Sequence, residues 1–120
     1  MQYFIADPDR KNGIELKTIL DKYLDLSCQG IFTTQKAAEE SIREVPTSLA
    51  LIRMGKIEIN AFSLAAKLRG LNPTVKVIFI SNQGSYAIEA FECEADGFLL
   101  LPFEAEKIEI MLARLSINHG

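Results

Sequence analysis

Five short apolar runs, each followed by a segment of helical periodicity, constrain the fold of this chain more than any other sequence feature. The runs cover residues 3–6, 28–32, 49–52, 75–80 and 97–101. The third run is continuously apolar, which is typical of a strand that helices cover on both faces. Short strands that alternate with helices predict an α/β domain with a doubly wound sheet.

Between the strands, apolar residues recur at helical spacing and polar residues mark where helices begin. The predicted apolar face of the first helix consists of Ile14, Leu16, Ile19, Leu20, Tyr23 and Leu24. Helices are predicted to begin after the Asp7-Pro8-Asp9 turn, at Thr33 or Thr34, at Asn60 and at Ser85. Gly70 and Pro73 are predicted to end the third helix, and the last helix is predicted over residues 104–115.

Length and composition predict one domain over residues 1–118 with a short tail at residues 119–120. The chain has 48% hydrophobic and 24% charged residues, an ordinary globular composition. A net charge of −3 argues against direct nucleic-acid contact. No apolar run approaches the ~20 residues of a membrane helix, and no signal peptide is visible, so we expect a cytoplasmic protein.

No cofactor or metal is expected. Cys28 and Cys93 fit no metal-binding spacing, and we predict that both are small buried hydrophobic residues and not a disulfide. His119 is the only histidine, and we place it in a disordered tail. The segment 81–85 lacks the glycine-rich spacing of nucleotide-binding loops.

The last third of the chain carries a family resemblance. It contains VIFIS at residues 77–81, YAIEAF at 86–91 and ADGFLLLPF at 95–103. With these motifs the chain resembles a response-regulator receiver domain over nearly all of its 120 residues. The YAxxAF helix is similar to receivers attached to LytTR-type DNA-binding domains. The resemblance implies that Ser81 matches the residue that contacts the phosphoryl group, Phe98 the switch aromatic and Pro102 the conserved proline.

The resemblance also implies details of the fold. It predicts a flavodoxin-like (βα)5 parallel sheet in the strand order 2-1-3-4-5. The bond between Leu101 and Pro102 is expected to be cis, with Leu101 packed over the mouth of the pocket. Phe98 is expected to hold a single rotamer beside Ser81.

The departures from the family pattern bear most on function. Asp7 matches the first of two adjacent acidic residues, but Pro8 takes the second place and Asp9 comes one residue late. Arg53 stands in the phosphoacceptor position, and Leu101 replaces the lysine. Phosphoryl transfer needs a nucleophile and cations that neutralise developing charge. These departures predict a degenerate pocket, composed of Asp7, Pro8, Asp9, Arg53, Ser81 and Leu101, and no enzymatic activity.

The guanidinium of Arg53 leads to a specific structural prediction. A guanidinium stays protonated and pairs readily with carboxylates. We therefore expect Arg53 to reach Asp7, Asp9 or both, and we expect no Mg²⁺ binding at millimolar concentration.

A second candidate surface follows from charge. Residues 89–109 contain seven acidic residues against Lys107 alone. In similar receivers, the face formed by the fourth helix, fifth strand and fifth helix serves output and dimerisation. The candidate interface residues are Tyr86, Ile88, Phe91, Glu92 and Glu109. We expect this face to bind a basic partner surface or a second copy of the chain.

The sequence therefore predicts a phosphorylation-independent receiver domain of a two-component-type signalling or transcription regulator that acts through protein contacts. It could be a stand-alone regulator or the N-terminal part of a protein with a C-terminal effector domain. One alternative is a phosphotransfer-competent receiver whose acceptor is displaced to Asp9 or Ser81. Another is a sensor that binds a small ligand in the old acidic pocket.

Overall fold

The computed structural model describes residues 1–118, in which five strands alternate with five helices. The strands are β1 Gln2–Ala6, β2 Ser27–Phe32, β3 Leu49–Arg53, β4 Lys76–Ser81 and β5 Gly97–Leu100. The helices are α1 Arg10–Leu20, α2 Gln35–Glu44, α3 Ala61–Leu71, α4 Ala87–Glu92 and α5 Ala105–Arg114. A single 3₁₀ turn, Gly84–Tyr86, leads into α4. The tail predicted at residues 119–120, with His119, lies outside the described residues.

The sheet has the predicted topology. All strand pairs are parallel, and the order is β2-β1-β3-β4-β5. Because the strands are parallel, their carboxyl ends meet at one edge of the sheet. The prediction of a doubly wound, flavodoxin-like α/β fold is confirmed.

Two hydrophobic cores lie on opposite faces of the sheet. Leu49 and Leu51 of β3 point into the core under α1 and α5. Ala50 and Ile52 point into the core under α2, α3 and α4. The period-2 alternation of a strand sends successive side chains to opposite faces. All five residues of β3 are buried, as its continuously apolar run predicted.

Side-chain caps begin three of the helices. Asp9, Thr34 and Asn60 each have extended backbone and accept a hydrogen bond from an N–H two or three residues further on. Thr34, and not Thr33, is therefore the cap of α2. Ser85 lies in the 3₁₀ turn, and α4 itself begins at Ala87.

Of the two residues predicted to end α3, Pro73 is confirmed and Gly70 is wrong. The helix continues to Leu71, and Asn72 follows with extended backbone (φ −142°, ψ 95°). Pro73 explains this end, because a proline disfavours helical backbone at the residue before it. Gly70 lies inside the helix.

The predicted apolar face of the first helix is also too wide. Leu24 follows the end of α1 and is 85% exposed, while Ile14 is 50% exposed. Leu16 and Leu20 are fully buried one turn apart and anchor α1 to the sheet. Cys28 and Cys93 are free thiols and only partly buried, so the prediction that both are buried is wrong.

Within residues 1–118, no helix combines the length and the apolar composition that crossing a membrane requires.

Alanine substitution at two helical glycines is expected to change the free energy of unfolding in opposite directions. A Cβ on Gly13 in α1 would lie 2.4 Å from Cγ2 of Ile31 in β2, whereas a Cβ on Gly70 in α3 would meet nothing within 4 Å. The isoleucine is β-branched and has little rotamer freedom. We expect Gly13→Ala to lower the free energy of unfolding by ~1–3 kcal/mol. Gly70→Ala should raise it by ~0.5–1 kcal/mol.

Urea unfolding of both variants checks this prediction, with Gly70→Ala as the matched control for helix propensity. A Gly13→Ala variant as stable as the wild type would show that α1 does not pack closely on β2.

Candidate functional site

The carboxyl edge of the sheet collects three polar side chains. Asp7 follows β1, Arg53 ends β3 and Ser81 ends β4. All three are buried, with 0%, 4% and 1% of their surface exposed. Ligands of open α/β sheets bind outside the carboxyl ends of the strands, so this edge is the candidate site.

Arg53 forms a buried ion pair with Asp7. Its Nη1 lies 3.4 Å from Oδ2 of Asp7, and both side chains are almost completely enclosed. Of the two partners predicted for Arg53, the structure therefore has Asp7. The carboxylate of Asp9 is exposed and instead accepts a hydrogen bond from the N–H of Lys11 as the cap of α1.

The pKa of Asp7 lies above its ordinary value. Burial raises it, because the charged form loses hydration. The N–H of Asp9, which donates to Oδ1 at 2.8 Å, and the guanidinium of Arg53 act in the opposite direction without overcoming burial. The carboxyl group of Asp7 is therefore harder to ionise than an exposed aspartate, although it lies beside a fixed positive charge.

The guanidinium is incompletely satisfied by the described residues. Its Nε is buried and has no hydrogen-bond partner among them, which costs ~1–3 kcal/mol. A buried ion pair recovers its desolvation cost only when its geometry is good and its other donors are bonded. The pair therefore holds a cation at the strand ends without being a large source of stability.

The other pocket residues offer little to a phosphoryl group. The Oγ of Ser81 accepts a hydrogen bond from the N–H of Gln83 at 3.0 Å. Pro8 is partly buried and brings neither an acidic group nor a backbone N–H. Leu101 packs against the core under α1 and α5, so its side chain lies on that face of the sheet. The peptide bond between Leu101 and Pro102 is cis, as predicted.

The acidic groups are too few and too dispersed for a metal site built from them. Among residues 1–118, no three His, Cys, Asp or Glu side chains lie close enough together to hold a metal ion. Mg²⁺ prefers oxygen ligands and a nearly octahedral arrangement. The guanidinium of Arg53 would also repel a cation from Asp7.

Phe98 lies beside the core and not at the strand ends. It is opposite Phe79 in the register of β4 and β5, two residues before Ser81, and it is partly buried against the core under α2, α3 and α4. The single rotamer beside Ser81 stays a prediction.

A groove of about 550 Å³ runs between α4 and α5 above β5. Its apolar wall includes Phe91, Phe98, Leu100, Phe103 and Ile110. Phe91, Leu100 and Ile110 are 55%, 46% and 50% exposed. The sequence reasoning missed Leu100 and Ile110. The alternation along β5 could have identified Leu100, because its neighbour Leu99 is buried.

Of the five predicted interface residues, Phe91 lines this groove and the other four do not. Tyr86 lies on the other side of α4, in a cleft of about 390 Å³ beside the loop between β3 and α3. Glu109 faces the α1 side of α5, near Tyr23. Burial is the larger cause that raises the pKa of Tyr23, and the negative charge of Glu109 is the second. Ile88 and Glu92 are exposed on α4.

The charges at the groove are mixed and not uniformly acidic. Lys107 pairs with Glu104 at 2.7 Å, and Arg114 makes no ion pair within the described part of the chain. Asp96 is engaged through its carboxylate with the N–H of Val77. From α5, the groove is therefore lined by the paired Lys107 and by Arg114. On α4, Glu92 is exposed but does not line the groove, and Glu89 lines the cleft that contains Tyr86.

The raised pKa of Asp7 predicts an unusual pH dependence. Because the folded pKa lies above the unfolded value, near 3.8, Asp7 contributes stability that is present below pH 3.8 and lost as pH rises through the folded pKa. We expect the free energy of unfolding of the wild type, relative to Asp7→Asn, to increase as pH falls from about 7 to about 3.5. Urea unfolding of both proteins at each pH measures this difference.

The other carboxylates are present in both proteins, so their contributions cancel in the difference between the two free energies of unfolding. A wild type that instead loses stability relative to Asp7→Asn on acidification would mean that Arg53 outweighs burial and lowers the pKa of Asp7.

The chain is similar in sequence to known bacterial regulators. The sensory transduction protein LytR of Streptococcus mutans is 28% identical over 122 residues, which cover 99% of this chain and 50% of that protein. The sensory transduction protein LytT of Enterococcus faecalis is 24% identical over 120 residues, 100% of this chain and 50% of that protein. The chain thus spans about half the length of these relatives. No protein-family model matches it.

Solved structures share the fold. The response regulatory domain of mrkE from Klebsiella pneumoniae superposes with a TM-score of 0.85 at 20% identity, covering 97% of this chain and 95% of that one. The receiver domain of RcsB from Salmonella enterica gives 0.82 at 15% identity, covering 97% and 88%. The predicted resemblance is therefore confirmed: the chain has the fold of a response regulator receiver domain and is similar in sequence to LytR- and LytT-type regulators.

Proposed function

We propose that this chain is a phosphorylation-independent receiver-type domain of a signalling or transcription regulator. The observation that carries this proposal is the buried Arg53, whose guanidinium occupies the end of β3 and is paired with Asp7. A guanidinium is not a nucleophile for phosphoryl transfer, and it supplies permanently the positive charge that a metal would otherwise bring.

The alternative acceptors are poorly placed for attack. Asp9 is exposed, but its carboxylate is engaged as the cap of α1. Ser81 is 1% exposed, and its hydroxyl oxygen accepts a hydrogen bond from the N–H of Gln83. No third acidic side chain completes a metal site with Asp7 among the described residues. These contacts favour the phosphorylation-independent hypothesis over a displaced acceptor.

Incubation with acetyl phosphate and millimolar Mg²⁺, followed by intact mass measurement, tests this proposal. We expect no gain in mass, because Arg53 replaces the nucleophile, Asp9 is engaged as a helix cap, and the described residues form no metal site. The informative comparison is the triple variant Pro8→Asp, Arg53→Asp and Leu101→Lys, which restores the residues of the family pattern. A mass gain in the unmodified chain would overturn the proposal, and peptide mapping would then identify Asp9 or Ser81.

We infer that the domain acts instead through the groove between α4 and α5, by contact with a second copy or with an effector domain. The exposed apolar residues Phe91, Leu100 and Ile110 give this face a hydrophobic centre. Its charges favour self-association, because the acidic Glu92 is exposed on α4 and Arg114, which makes no ion pair with the described residues, lines the groove from α5. In a two-fold interface, α4 of one copy can face α5 of the other, so each charge pair forms twice.

Charge reversal tests this face. We expect Glu92→Lys and Arg114→Glu each to weaken self-association by about 5- to 30-fold, since two exposed pairs change at once. The combined variant should recover wild-type affinity, because it exchanges the charges. Sedimentation equilibrium at low and high salt measures the dissociation constant, and wild-type association should weaken with salt.

Arg43→Glu is the matched control, because Arg43 is an exposed cation on α2, away from the groove. Association that is unchanged in both single variants at every salt concentration would mean that this face is not the interface.

A further inference from the structure

Tyr86 packs against the core under α2, α3 and α4, which includes Met54 and Ile59, and its ring lies beside Gly55 in the loop between β3 and α3. A Cβ on Gly55 would lie 3.5 Å from Cε2 of Tyr86 and 3.7 Å from its Cζ and Oη. Gly55 also has a φ of +77°, a conformation that side chains rarely adopt. The positive φ therefore favours glycine here, whereas the distance to the tyrosine ring would leave room for a Cβ in ordinary van der Waals contact.

The loop under this ring is held at several points. The N–H of Met54 donates to the carbonyl of Ile80 at 2.7 Å. The N–H of Asn60 donates to Oε1 of Gln35 in α2 at 2.9 Å. An antiparallel bridge joins Lys56 to Ile59, and Ile59 is buried. The loop is therefore a firm support for the tyrosine.

Helix α4, by contrast, has few anchors of its own. It has six residues, of which only Ala90 is buried, while Ile88 and Phe91 are largely exposed. Helices this short are not stable by themselves in water. Its position therefore depends on tertiary contacts at its two ends, and Tyr86 is the residue immediately before its first turn.

We propose that Tyr86 is a positioning residue that fixes α4, and with it the α4 side of the interface, to the loop that follows Arg53. The ring on Gly55 holds the start of the helix, and Ala90 holds its middle in the core. The orientation of Ile88, Phe91 and Glu92 then depends on the loop between β3 and α3. This inference deepens the proposed function, on which its interface part rests.

The aromatic ring supplies the packing of Tyr86 against the core. The Oη of Tyr86 forms no hydrogen bond with the described residues, so Tyr86→Phe should behave as the wild type and serves as the matched control. Tyr86→Ala removes the ring. Gly55→Ala strains the backbone of the loop beside Tyr86, because the φ of this residue is +77°. It provides a second test of the same contact if Tyr86→Ala does not fold.

Amide hydrogen exchange tests the proposal. The reporter amides are those of Cys93 and Ala95, which donate to carbonyls within α4. We expect Tyr86→Ala and Gly55→Ala to speed their exchange by about tenfold or more, which corresponds to about 1.4 kcal/mol of local stability. Amides of α1, on the other face of the sheet, should keep their relative protection.

Unchanged protection of α4 in Tyr86→Ala would overturn the inference. So would equal loss of protection in α1 and α4, because that pattern indicates a general loss of stability. If the wild type does not self-associate, the proposed interface fails, but the exchange result still decides the role of Tyr86. If the wild type does associate, Tyr86→Ala should weaken association, whereas Tyr86→Phe should associate as the wild type does.

Discussion

The complete burial of β3 is the constraint on which the rest of this structure depends. Each residue from Leu49 to Arg53 is enclosed, because helices cover the sheet on both faces and strands flank β3 on both sides. Such a strand can carry only apolar side chains along its length. Polar side chains are tolerated where the strand ends, so the carboxyl edge is the place at which a central strand can present chemistry.

A cation at the end of this strand has strong consequences. Arg53 is buried, and a buried charge needs a counter-charge. Asp7 supplies it from the end of β1, the neighbouring strand. The two residues neutralise each other where a receiver of the usual pattern would assemble an acidic pocket. Burial raises the pKa of Asp7 nonetheless, so the pair is a compromise between desolvation and attraction.

The groove between α4 and α5 differs from the site at the strand ends, because it is open to solvent. Helix α4 is short and half-exposed, and the groove beside it is bounded by β5 at the edge of the sheet. An edge strand with exposed Leu100 leaves apolar surface that no helix covers. Exposed apolar residues that are grouped in this way mark interaction sites more often than single exposed residues do. The site at the strand ends is closed, whereas this face is open.

The sequence by itself determined the fold class, the strand order, the segments in which three helices are capped, and the position of Arg53 at the end of β3. These features depend on local periodicity, on capping chemistry and on a family pattern, all of which are encoded in short segments. Which carboxylate pairs with Arg53 was left open, because Asp7 and Asp9 lie two residues apart and only the capping role of Asp9 separates them.

Only the tertiary structure decided which charges share a surface. Glu109 and Lys107 are two residues apart in α5, yet Glu109 faces α1 and Lys107 lines the groove, because a helix turns about 100° per residue. Tyr86 was grouped with Phe91 from the sequence, but packing against Gly55 places it on the other side of α4. A count of acidic residues along a segment does not tell which side of a helix each residue faces. Charged residues belong to one interface only when they face the same side.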